Sequence, residues 1–146
     1  TIYFRYYVHN ALNKAGMGDQ LLDNLQIWRD QMALGLTTWA EMPEPSRSDC
    51  HAWGASPNIE FYRILLGIDS AAPGFRKIRI APSLGNLKEV SGSMPHPAGK
   101  VAVSYKIGKK GDLQVRIELP AGTGGTFVWK GAERELNEGL STFSIP

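Results

Sequence analysis

The sequence predicts an α+β chain, with a helical segment over residues 1–68 followed by an antiparallel β-sandwich over residues 69–146. Two observations carry this. Up to Leu66, apolar residues recur at spacings of three and four, the period of a helix that buries one face. From Asp69 onward, proline or glycine interrupts the chain every few residues, and the runs between them alternate apolar with polar, the period of a strand. The character changes between Gly67 and Gly74, where the domain boundary is expected, and neither part holds an internal repeat.

The first helix is predicted over Tyr3–Ala15, with Phe4, Tyr7, Val8, Ala11, Leu12 and Ala15 along one stripe and Gly16 placed for a left-handed C-terminal cap. A second is predicted over Asp19–Leu34, capped by Asp19, burying Leu21, Leu22, Leu25, Trp28 and Met32, and ended by Gly35. The third ends at Gly67, and its start has two readings. Ser56-Pro57 forms a good cap and first turn, whereas Ser48 or Asp49 suits a helix beginning near His51, the reading the residues favour. These helices carry broad apolar faces that do not close on each other, so they predict a further α partner, packing onto the sandwich, or self-association.

In the second half, Phe75–Ala81 reads as a strand with an irregular register. Val101–Ile107 and Leu113–Leu119 alternate strictly about the turn at Gly108–Gly111 and predict a hairpin. Thr126–Trp129 and Thr142–Ile145 complete the strand set.

Composition narrows the function. A hydrophobic fraction of 42% supports a packed core. The net charge of +2 and the short basic pairs Arg76-Lys77 and Lys109-Lys110 argue against a nucleic-acid partner. No run approaches the ~20 apolar residues of a membrane helix, so no membrane partner is expected. Cys50 is the only cysteine and has no internal disulfide partner, and no Cys, His or carboxylate spacing suggests a metal, so neither cofactor nor metal is expected. The opening Thr-Ile-Tyr-Phe reads as the interior of a longer chain.

Chemistry concentrates between Gly35 and Asn58. Trp39, Glu41, Glu44, His51 and Trp53 fall in a loop stiffened by Pro43 and Pro45. Indole faces beside carboxylates suit a sugar, whose C–H faces stack on flat apolar surfaces and whose hydroxyls need acceptors. The same residues also fit a reading in which both tryptophans are core and Glu41 is a solvated carboxylate. Glu44 and Arg47 are expected to form a surface pair, and Glu60 to be structural.

Several blocks resemble a known family in that family's order: Gly-Leu-Thr-Thr-Trp-Ala-Glu, Ser-Asp-Cys-His-Ala-Trp-Gly-Ala-Ser-Pro, Leu-Leu-Gly-Ile, and Ala-Ala-Pro-Gly-Phe-Arg-Lys-Ile-Arg-Ile-Ala-Pro. They resemble the C-terminal end of bacterial α-L-rhamnosidases. The resemblance implies the last helices of an α/α barrel of six hairpins, then a complete C-terminal β-sandwich. It also implies cleavage of terminal α-L-rhamnosyl groups with inversion, so rhamnose-containing glycosides or polysaccharides are the expected partners. Glu41 falls at the family's general base. His51 falls at its sugar subsite, and Trp53 lies in the same block; the residue itself fits three roles, donating to a sugar hydroxyl, orienting Glu41, or bonding a neighbouring backbone carbonyl at a helix terminus. Many members carry tryptophan directly before the glutamate; here Ala40 intervenes and the indole is Trp39. The resemblance puts the general acid upstream of these residues, so the chain alone is expected to be inactive. Two other readings remain at this point: a six-hairpin glycosidase of another specificity, and a non-catalytic carbohydrate-binding or structural module using Tyr105 and Trp129.

Overall fold

The first apolar stripe winds into a helix, α1 (Arg5–Lys14), in a computed structural model that describes residues 1–146. Gly16 turns the chain out at φ 75°, and Met17 N–H reaches back to the Leu12 carbonyl at 2.8 Å. These two features form a Schellman-type end. Phe4, Tyr7 and Val8 stay exposed, and the buried residue of α1 is His9.

The second stripe is broken. Short 3-10 turns at Gly18–Gln20 and Asp23–Leu25 precede α2 (Gln26–Ala33), and Asp19 lies inside the first turn instead of capping a helix. Local polar side chains compete with the helix here: Asn24 Nδ2 donates to the Gln20 carbonyl at 2.9 Å, and Arg29 Nη1 donates to that of Leu22 at 3.1 Å. Leu21, Leu25 and Trp28 are buried as expected, while Met32 is exposed. Gly35, at φ 81°, ends the helix.

The third helical stretch joins features of both readings of its start. A 3-10 turn, Ala52–Ala55, begins just after His51; α3 (Pro57–Glu60) follows with Pro57 in its first turn, then a π-helical turn, Phe61–Leu65. Neither Ser48 nor Asp49 caps it. No helix is long and apolar enough to cross a membrane.

The chain divides into two compact units, Thr1–Phe61 and Tyr62–Pro146. In the second, eight strands form two four-stranded sheets: β1 (Ile68–Ser70), β2 (Lys77–Ile80), β6 (Gly124–Trp129) and β7 (Ala132–Leu136) in one, β3 (Glu89–His96), β4 (Gly99–Ile107), β5 (Leu113–Leu119) and β8 (Gly139–Ile145) in the other, each in that spatial order. Their inner faces share one core that includes Ile78, Ile80, Val103, Tyr105, Ile117, Phe127 and Leu136. The predicted hairpin is present, with Val103 opposite Ile117 and Tyr105 opposite Val115.

Two expectations change. The sandwich is not wholly antiparallel, because β2 and β6 pair in parallel, with Ile78 beside Gly125 and Ile80 beside Phe127. The chain leaves β2 to build β3, β4 and β5 in the other sheet and returns, which allows two strands of one sheet to run the same way. Tyr105 is not a surface aromatic: it is fully buried, and its hydroxyl donates to the Leu66 carbonyl at 2.8 Å. Trp129 packs partly buried against the same core, which weakens the reading of the sandwich as a sugar-binding module.

Candidate active site

The loop between α2 and the third helical stretch is held as an irregular two-armed ladder. His51 N–H donates to the Trp39 carbonyl at 2.7 Å and Glu41 N–H to that of Ser48 at 2.9 Å, while the Thr38 hydroxyl clasps the Asp49 carbonyl. From below, the buried Gln31 side chain accepts from Ala40 N–H at 2.9 Å. Every residue from Thr38 to Glu41 is therefore tied to a neighbour. Met42 to Arg47 form the tip, where Pro43 and Pro45 limit backbone freedom.

On this ladder the Glu41 side chain is 15% exposed, and its Oε1 accepts a charge-assisted hydrogen bond from Arg47 Nη2. The expected Glu44–Arg47 pair is not formed. Glu44 Oε2 instead accepts from Ser46 N–H at 3.1 Å, a local bond its short reach favours, and the ladder brings Arg47 back beside Glu41. An ion pair six positions apart depends on backbone pairing, and no local pattern in the sequence announces it.

His51 sits where the chain enters the 3-10 turn, with its ring edge-on to Trp53 at 6.0 Å. It makes no hydrogen bond to Glu41. Trp53 is 65% exposed and lies 5.0 Å from Tyr3, and the two help line a cleft of about 570 Å³ with Tyr6, Tyr7, Asn58 and Ile59. Trp39 faces elsewhere, into a separate cavity of about 330 Å³ lined also by Trp28, Met32, Pro57 and Phe61. It abuts Gly54, at which a Cβ would stand 2.7 Å from Trp39 Cβ. Trp28 Nε1 donates to the carbonyl of that same glycine at 2.6 Å.

The structure thus groups Glu41 with Arg47, sets His51 beside Trp53, and gives Trp39 the surroundings of a packing residue. Tyr3, Tyr6 and Tyr7 join Trp53, although the sequence marks Tyr7 only as one position of an apolar stripe. Glu60 is structural as expected, and its carboxylate meets His9 Nδ1 at 2.8 Å with both side chains 1% exposed. No group of three or more His, Cys, Asp or Glu side chains gathers as a metal would require.

Residues 67–143 match the family described as the bacterial alpha-L-rhamnosidase C-terminal domain. No curated protein sequence matches. Among solved structures, a native alpha-L-rhamnosidase from Aspergillus terreus superposes with a TM-score of 0.82 at 21% identity, covering 96% of this chain and 18% of that one. A rhamnosidase from Bacillus sp. GL1 gives 0.72 at 28% identity, covering 88% and 16%. An alpha-L-rhamnosidase from Streptomyces avermitilis, solved with L-rhamnose, gives 0.75 at 18% identity, covering 92% and 17%. The chain therefore spans less than a fifth of the length of these three relatives.

Proposed function

Because this chain belongs to the bacterial alpha-L-rhamnosidase C-terminal domain family, we propose that its parent enzyme releases terminal α-L-rhamnose with inversion and that Glu41 is the general base. The helical residues 1–68 are then the last helices of the parent's α/α barrel, and residues 69–146 its closing sandwich. The observation that carries the catalytic part is the state of Glu41: a carboxylate on a pinned loop, largely shielded, with one oxygen held by Arg47 and the other left without a partner.

Inverting hydrolysis requires one carboxylic acid to protonate the leaving oxygen and one carboxylate, about 6.5–9.5 Å away, to take a proton from water. Glu41 supplies the second role. The water oxygen bonds to the anomeric carbon, the glycosidic C–O bond breaks, and the water's proton passes to Glu41. The acid is assigned to the upstream part of the parent. His51 donates to a sugar hydroxyl, and the exposed face of Trp53 offers the apolar surface on which a deoxy sugar stacks. Trp39 acts from behind, packed on Gly54, setting the position of the loop.

The test is hydrolysis of an aryl α-L-rhamnoside by the intact parent, wild type beside Glu41→Gln, with folding of both checked by circular dichroism. The expected outcome is a loss on the order of a thousandfold in kcat, within the range of general-base assistance. A folded variant that keeps its activity assigns the base elsewhere. A wild type that ignores rhamnosides and accepts another glycoside overturns the substrate.

A further inference from the structure

We propose that Arg47 is a positioning residue for the general base, holding Glu41 by one oxygen so that the other is free for the attacking water. The inference rests on the reading of Glu41 as base and adds a residue that neither the sequence pattern nor the family match assigns.

Three observations support it. Arg47 Nη2 bonds Oε1 of Glu41 and leaves Oε2 without a partner, so the contact orients the carboxylate without occupying it. The backbone that carries the guanidinium is fixed on both sides: Glu41 N–H and the Ser46 hydroxyl both donate to the Ser48 carbonyl at 2.9 Å, and Ser48 N–H returns to Ser46 Oγ at 3.3 Å. Glu44, the nearer carboxylate in sequence, is engaged by Ser46 N–H and does not compete for the guanidinium.

Burial is divided asymmetrically between the partners. The Arg47 side chain is 72% exposed and keeps most of its hydration, while Glu41 at 15% is shielded enough for a charge-assisted bond to fix its rotamer. Arg47 therefore contributes through geometry, keeping Oε2 aimed as the water's proton transfers.

The test uses the intact parent and an aryl α-L-rhamnoside. Arg47→Ala is expected to lower kcat by about tenfold or more with KM within about twofold, the pattern of an interaction that matters mainly in the transition state. Arg47→Lys recovers most of the loss. Added guanidinium ion restores part of the Arg47→Ala rate and does nothing for Glu41→Gln, and Glu44→Gln behaves as wild type. If Arg47→Ala does not fold, Arg47→Lys and Arg47→Gln replace it, and equal kcat values for those two overturn the proposal. Wild-type kcat in Arg47→Ala alongside an inactive Glu41→Gln overturns the role of Arg47 and leaves the base in place. An active Glu41→Gln removes both.

Discussion

Tyr105 is fully buried in the core of the sandwich. Its ring is enclosed, 6.3 Å from that of Phe127, and its only polar atom meets the Leu66 carbonyl. Burial pushes the phenol well above its ordinary range, because the phenolate would lose its hydration. The folded value is raised, so the contribution of Tyr105 is complete below about pH 10 and is lost as pH rises through the folded value. Tyr105→Phe leaves the Leu66 carbonyl unpartnered and is expected to cost about 1–3 kcal/mol in urea unfolding at pH 7. That gap should narrow above about pH 10; a gap that persists unchanged at alkaline pH contradicts the assignment. The alternation of β4 sets Tyr105 on the same face as Val101 and Val103, so its burial was legible in the sequence and the surface reading overlooked that register. Glu41 was singled out by the resemblance of its Thr-Thr-x-x-Glu block, whereas nothing in the sequence singled out its partner Arg47.

Between elements, α1 and α3 are joined at one buried point, His9 to Glu60. His9 Nε2 and Glu60 Oε1 have no further partner, so the pair is held mainly by its mutual bond. Glu60→Ala removes that bond and strands a buried imidazole, and we expect a loss of about 3 kcal/mol by urea unfolding followed through tryptophan fluorescence. A double replacement of His9 and Glu60 by leucine and methionine should recover part of it. The strands absent from the sequence reading share one physical cause. β1, β3 and β7 all lie at sheet edges, where Asp69, Pro95 and the Glu133-Arg134-Glu135 run are tolerated. Those same residues erase the alternation that reveals a central strand. Central strands β4 and β5 carry strict alternation because both neighbours and the core constrain them. The helical half was legible in period but not in continuity, since Asn24 and Arg29 divert carbonyls that a longer helix would have used.

For the chain as a whole, Phe4, Tyr7, Met32, Leu34 and Trp53 are exposed apolar side chains, the kind of surface that marks an interaction face. The 146 residues alone are expected to self-associate in sedimentation velocity and, on the proposed reading in which the acid belongs to the upstream part of the parent, to leave an aryl α-L-rhamnoside intact. Turnover by the isolated chain refutes that division of labour. The parallel pairing of β2 with β6 has a further consequence, for the order of assembly during synthesis. Lys77 waits for Gly124 to leave the ribosome before its strand gains that neighbour. By then the meander from β3 to β5, whose pairings are mostly closer in sequence, has had time to form. A nascent chain arrested just after β5 would therefore carry the strands that face Ile78 and Ile80 across the core but leave the β6-side edge of β2 unpaired, and the stretch before β6 is the window in which such intermediates are open to aggregation or chaperone capture.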